Sequence, residues 1–193
     1  MTARLAATDL ACRRGDRLLF RGLEFDCGAG VAMHIAGANG IGKSSLIRIL
    51  AGLLRPFAGG VEREGAIGLV DERLALDENL PLGRALEFWE KLDGCRDAGR
   101  AMEVLQLGNL MEVPVRYLST GQRKRAALAR LLNRNCPVWL LDEPLNGLDT
   151  QAQKAFEALL ALHCGGGGIA VVASHQAMAL PDPQVIDLAE YSA

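Results

Sequence analysis

Apolar residues fall along this chain in short runs whose period changes several times, with turn residues marking the changes. Residues 1–30 alternate apolar and polar groups, as in Leu18-Leu19-Phe20 and Leu23-Glu24-Phe25. Turn signals at Gly15-Asp16 and Gly28-Ala29-Gly30 divide them, which predicts an antiparallel strand layer. Residues 31–36 form a mostly apolar run suited to a buried strand, and residues 45–52 carry apolar side chains at helical spacing with Gly52 closing the helix. Residues 55–61 read as a turn and residues 66–70 as a further buried strand. Between about Leu80 and Val115 β-branched residues thin out, and Leu82, Ala85, Leu86, Trp89 and Leu92 line up at helical spacing. Phe88 lies off that stripe, either on a second buried face or exposed for a partner. A helix over 123–132, a strand over 138–141 and a strand over 169–174 follow, the last reached through Gly165-Gly166-Gly167-Gly168 as a flexible connection. Strands alternating with helices predict an α/β fold with a mainly parallel sheet.

Between the strand at 31–36 and the next helix stands Gly37-Ala38-Asn39-Gly40-Ile41-Gly42-Lys43-Ser44, followed by Ser45. Glycines at this spacing turn successive backbone N–H groups toward bound phosphate, while Lys43 reaches the outer phosphates and the Ser44 hydroxyl ligates Mg²⁺. The helix N-terminus adds partial positive charge to the same place. By itself the pattern marks a nucleoside triphosphate site and leaves the function open, because many families share it.

The apolar run Val138-Trp139-Leu140-Leu141 delivers Asp142 and Glu143 at its carboxyl end, where ligands of open α/β sheets bind. Two adjacent carboxylates divide the labour: Asp142 holds Mg²⁺ through its water shell, and Glu143 orients and deprotonates an attacking water. Leu118-Ser119-Thr120-Gly121-Gln122 places a serine at a helix N-cap and a glycine where backbone can approach a ligand. His34, inside a strand, and His163, on the helix before the glycines, read as hydrogen-bonded structural residues.

In this order the stretches resemble the ATP-binding subunits of ABC transporters, with Thr120 in place of the first glycine of the signature L-S-G-G-Q. The resemblance covers nearly the whole chain and implies a P-loop NTPase (RecA-like) core with an N-terminal antiparallel β-subdomain and an inserted α-helical subdomain. As one domain over 1–193, the core with its β-subdomain would take 1–72 and 117–193, and the helical subdomain 73–116. It further implies that Leu118, Ser119, Thr120, Gly121 and Gln122 contact ATP held by the other subunit, so that the site is complete only in a homodimer. Asp149, in Leu148-Asp149, corresponds to the D-loop, and His175, in Ser174-His175, to the switch histidine that contacts the γ-phosphate and Glu143. Lys43, Glu143 and His175 are the implied catalytic set, ATP the substrate and Mg²⁺ the cofactor. Within the family the chain is similar to the haem-exporter branch used in cytochrome c maturation, which implies integral membrane partners and a peripheral place on the cytoplasmic face of the bacterial inner membrane. Neither nucleic acid nor direct haem binding is expected.

Two departures stand out. Related ATPases carry a glutamine before the helical subdomain that contacts the metal and the attacking water. Here the stretch reads Leu69-Val70-Asp71-Glu72-Arg73-Leu74-Ala75-Leu76, and either Arg73 or Glu72 falls at that position. Arg73 would pair with a phosphate oxygen, whereas Glu72 or Asp71 would take over the metal contact. The aromatic residue that stacks on adenine is also missing, with Arg13 or Arg14 as candidates for stacking by the guanidinium plane.

Composition narrows the partners. Of 193 residues half are hydrophobic, enough for one substantial core, and a net charge of −2 creates no field that would draw nucleic acid or an anionic membrane. Arg123-Lys124-Arg125 reads as a solvated helix face. Five dispersed cysteines without a C-x-x-C pair, and no secretory signal, predict reduced thiols. The most apolar stretch is broken by glycines and polar residues, which predicts no membrane span. A soluble ABC-type regulator or nucleic-acid ATPase is the competing reading. Such proteins carry tandem ATPase units or a long coiled-coil insertion, and the interval between P-loop and signature here is short. A subunit that senses nucleotide with vestigial hydrolysis is a third, motivated by the absent glutamine.

Overall fold

The computed structural model describes residues 3–73, 75–94, 98–176 and 178–192. Strands β1 (Arg4–Arg14) and β2 (Arg17–Cys27) form a hairpin through Gly15-Asp16, with Leu5 opposite Cys27. After β3 (Ala32–Ala36) and helix α1 (Lys43–Leu50), strand β4 (Ala58–Glu64) returns to pair antiparallel with β1. The stretch 55–61, read from the sequence as a turn, is therefore a strand from Ala58 onward. Its glycines and exposed polar residues carry no period-2 apolar signal because β4 is an edge strand with only Val61 half-buried.

Next come β5 (Ile67–Val70), α2 (Leu82–Asp93), α3 (Ala98–Val104), α4 (Thr120–Arg134), β6 (Val138–Asp142), α5 (Thr150–Gly165), β7 (Ile169–Ala173) and β8 (Gln184–Asp187). Strands β5-β6-β7-β3-β8 make a second sheet in which every neighbouring pair is parallel. All residues of β6 and β7 are buried, as continuous apolar runs require when both faces are covered.

Alternation along these strands sorts side chains into two cores. Val138 and Leu140 of β6, with Met33, Ile35 and Val171, pack with Leu46, Ile47 and Leu50 of α1 and Leu5, Leu10 and Phe20 of the antiparallel sheet. Trp139 and Leu141, with Val172, face Ala126 and Ala129 of α4, Phe156 and Leu160 of α5, and Leu82 and Leu86 of α2. Burying a side chain of this size contributes about 1.5–3 kcal/mol. Both cores therefore clamp the sheet whose strand ends carry the chemistry.

In α2, Leu82, Ala85 and Leu86 are buried as the spacing requires, but Leu92 is 65% exposed. Leu92 sits at the margin of the stripe in the last turn, before Gly94 ends the helix with φ of 67°. Phe88 is also exposed, at 58%, and meets Trp89 edge to face, so it lies on no second buried face. At the end of α5 the glycines are not a loose connector. Gly166 N–H donates to Leu162 O, Gly167 N–H to Cys164 O and Gly168 N–H to His163 O, which satisfies the helix's last carbonyls. Cys12, Cys27, Cys136 and Cys164 are buried thiols, and burial pushes Cys27 up to about 12. Cys95 and Leu74 lie outside the described residues. No helix among the described residues is long and apolar enough to cross a membrane.

Candidate functional site

Parallel pairing aligns the carboxyl ends of β6, β7 and β3 on one edge of the sheet. Asp142 pairs with Ala173, Ala173 is in register with Ile35, and the chain leaves β3 directly into the glycine loop. Glu143 N–H donates to Ala173 O at 2.8 Å and Ser174 N–H to Ile35 O at 3.4 Å, so pairing continues past the strands to the functional residues. Glu143 has φ of 45°, a left-handed backbone that costs a non-glycine residue about 1–3 kcal/mol and that the ladder bond helps to hold.

Around this edge lies a cleft of about 370 Å³ lined by Asn39, Gly40, Gly42, Lys43, Ser44, Ser45, Glu72, Glu143, Asn146, His175 and Leu19. Gly42 caps α1 with φ of 122°, and a Cβ there would press on Leu19 and Phe20 at 3.3 Å. Its absence lets the loop lie against β2. Lys43 is 6% exposed, and its Nζ donates to Gly37 O at 2.7 Å and Ala38 O at 3.2 Å, which holds the ammonium across the loop. Ile41 N–H donates to Ala38 O, which tightens the same turn.

Glu143 stands between a cation and an imidazole. Its Oε1 lies 4.0 Å from Lys43 Nζ, its Oε2 lies 2.9 Å from His175 Nδ1, and the Ser174 hydroxyl donates to Oε2 at 3.4 Å. Gln176 donates to Asn146 Oδ1 at 3.1 Å, tying the chain after β7 to the loop after β6. A carboxylate held in this way has its orientation fixed before any water arrives.

Asp142 is 5% exposed, and its Oδ1 is buried without a hydrogen-bond partner. Burial pushes its carboxyl above the ordinary range, opposed by the Ser44 hydroxyl and reinforced by Glu143 and Glu72. An unpartnered buried carboxylate oxygen next to a hydroxyl is a donor set that suits a hard divalent cation, and the site fits one. No group of three or more His, Cys, Asp or Glu side chains among the described residues is arranged as a metal cage. The pair would therefore share the ion with phosphate oxygens and water.

Lys124, read from sequence as part of a solvated basic face, is 8% exposed and donates to the Asp142 carbonyl at 3.4 Å. Burial pushes its ammonium down, with Asp142, Glu72, Asp71 and Glu143 opposing. Arg123 is also engaged, donating to Leu118 O and Arg116 O. Helical periodicity turns only one side of α4 to solvent, so adjacent basic residues do not share an environment.

The structure separates the two candidates for the missing glutamine. Glu72 lines the cleft, whereas Arg73 lines a different groove with Arg48, Arg130 and Arg134. Arg13 sits 4.6 Å over the Phe57 ring. Leu19 and Asn146 are wall residues that sequence reasoning missed, since neither belongs to a chemical motif. His34 approaches Ser174 O, and His163 stacks on Trp139 with centroids 3.7 Å apart and its Nε2 at 3.2 Å from Ile169 O, so both are structural.

The signature residues are not among those lining this cleft. Ser119 caps α4, accepting from Gln122 N–H at 3.3 Å while Gln122 Oε1 accepts from Ser119 N–H at 2.8 Å. Thr120 opens the helix and Leu118 is buried. Gly121 packs so closely on the Gly147 carbonyl that a Cβ would collide with it, which joins the signature to the loop after Glu143. Asp149, at the end of that loop, caps α5 by accepting from Ala152 N–H at 2.8 Å.

A family model described as ABC transporter matches residues 20–146. The cytochrome c biogenesis ATP-binding export protein CcmA of Novosphingobium aromaticivorans is 64% identical over 180 residues, 91% of each chain. The protein of the same name from Zymomonas mobilis subsp. mobilis is 50% identical over 192 residues, 99% of this chain and 87% of that one. Among solved structures, an ABC transporter ATP-binding protein from Pyrococcus furiosus superposes with a TM-score of 0.82 at 21% identity, covering 98% of this chain and 100% of that one, which shows a shared fold.

Proposed function

This chain belongs to the ABC transporter family and is an ATP-hydrolysing subunit most similar to CcmA, and from that premise we propose that it is the motor of the haem exporter in cytochrome c maturation. The observation that carries the chemistry is the convergence of Lys43, Glu143 and His175 on one cleft, from the glycine loop and two neighbouring strand ends.

In this reading residues 37–45 cradle the phosphates, with backbone N–H groups and the start of α1 turned to the anion. Lys43 exchanges the loop carbonyls for phosphate oxygens. Ser44 and Asp142 hold the divalent cation, taken here to be Mg²⁺, which neutralises charge on the phosphate oxygens when bound. Glu143 accepts a proton from the attacking water, and His175 holds that carboxylate and reaches toward the outer phosphate. The close packing of Gly121 on Gly147 supports a bipartite site, because a signature engaged by a second copy's ATP would bear directly on the loop that carries Asn146 and Asp149. The working unit is thus a head-to-tail homodimer on integral membrane partners, peripheral to the cytoplasmic face of the inner membrane. The α-helical insertion spans residues 73–116, and the rest is core and β-subdomain.

The test is to tag the subunit, solubilise it gently from native membranes and identify the co-purifying proteins by mass spectrometry. Recovery of the cytochrome c maturation membrane subunits is expected. A different permease would overturn the haem reading, and recovery of soluble partners alone would overturn membrane coupling.

A further inference from the structure

Among the described residues, the charged side chains lining the nucleotide cleft are Lys43, Glu72 and Glu143, with His175 beside them. One lysine thus faces two carboxylates, and Lys43 is already 4.0 Å from Glu143. Beneath the wall, Asp142 keeps a buried unpartnered oxygen, and the Lys124 ammonium donates to its backbone carbonyl. The wall is consequently acidic for a site that must receive a polyphosphate. Glu72 is the part of this imbalance that the P-loop chemistry does not need. It stands on the exposed segment after β5, and no ion pair ties it down among the described residues.

We propose that Glu72 is a specificity-determining residue that makes nucleotide entry depend on a divalent cation, repelling free ATP and stabilising the hydrated metal–ATP complex. A carboxylate on the cleft wall repels the bare phosphates by like charge, an effect that solvent at this exposed position weakens and added salt screens. The same carboxylate accepts hydrogen bonds from water in the shell of an ion held by Ser44 and Asp142. Glu72 and the two strand-end acids form no three-residue cage, so its action is through the field and through water rather than direct ligation. Glu72 and Ser44 line the same cleft, which brings the carboxylate's field to that shell. A neutral amide would supply the water contact without the repulsion.

This inference rests on the ATP-site reading, and the experiment separates the two. Binding of a fluorescent ribose-labelled ATP to the full chain is measured in excess EDTA and in saturating Mg²⁺. Manganese binding to the nucleotide complex is then followed by electron paramagnetic resonance. The Glu72→Gln variant is expected to bind metal-free nucleotide about fivefold more tightly, hold manganese more weakly, and narrow the ratio of the two nucleotide affinities. Glu64→Gln, on β4, removes the same formal charge outside the cleft and is expected to leave the ratio unchanged. A Glu72→Gln ratio within twofold of wild type, with metal-dependent binding intact, overturns the role of Glu72 alone. Failure of the wild-type chain to bind nucleotide with metal present overturns the site reading and this inference with it.

Discussion

His175 Nδ1 lies 2.9 Å from Glu143 Oε2, while the other oxygen of that carboxylate faces Lys43 at 4.0 Å. The two residues are 32 positions apart in sequence and meet because β6 and β7 are parallel neighbours ending at the same edge. A carboxylate held between an imidazole and an ammonium keeps one orientation, and removing its charge would isolate the proposed chemical step from binding.

Glu143→Gln keeps the shape of the side chain and loses the proton acceptor. ATP turnover is expected to fall at least about 10²-fold while metal–ATP binding persists. Phosphate release and equilibrium nucleotide binding, measured on the same preparation, check both halves. Retained turnover would remove Glu143 from its role.

Lys124 is a buried cation among carboxylates, so its charge sets stability against the local field. Burial outweighs the carboxylates around it, so keeping the ammonium charged in the fold costs stability at neutral pH. Lys124→Met is expected to melt at the same temperature as wild type or higher, and the more acidic surroundings are expected to weaken binding of metal-free ATP. Differential scanning calorimetry with and without nucleotide distinguishes this from a structural lysine, whose loss would lower the melting temperature in both conditions.

A methyl group at Gly121 would collide with the Gly147 carbonyl. Gly121→Ala is expected to cost about 1–3 kcal/mol and to displace the loop carrying Asn146 and Asp149. Chemical denaturation reads the stability, and turnover of the assembled complex is expected to fall by more than the unfolded fraction explains.

His163, stacked on Trp139, is held below its ordinary pKa of 6.5, chiefly by burial, with the Ile169 and Pro137 carbonyls opposing. The unfolded chain then takes up the proton more readily than the fold. Stability contributed by the neutral ring is complete above the unfolded pKa and is lost as pH falls from there toward the lower folded value. Melting temperatures between pH 7.5 and 5.5 are expected to drop less in His163→Phe, which keeps the stack without the titration. Equal drops in both proteins would assign the acid sensitivity elsewhere.

Glycine spacing, the capped signature serine and the all-apolar run before Asp142 are local statements, so the P-loop, the start of α4 and strand β6 were legible from the chain alone. They depend on neighbours in sequence, where backbone φ, capping and period-2 or period-3.6 patterning act. The parallel sheet followed because strands separated by helices have few ways to pair. Tertiary packing decided the rest. Edge strand β4 hides among glycines, because this edge only half-buries one residue, Val61, and needs no apolar period. Lys124 and Arg123 differ from their solvated reading because helix rotation, and not composition, sets which basic residue faces the core. Neighbouring Glu72 and Arg73 could not be told apart in sequence, since both are charged and fall in an irregular segment. Only the fold sends one to the cleft at the sheet edge and the other to an arginine-lined groove. Sequence thus determined which chemical groups each segment presents, because bonding within a segment is local. Structure decided which carboxylates share one dielectric pocket, because charge acts through space and ignores distance along the chain.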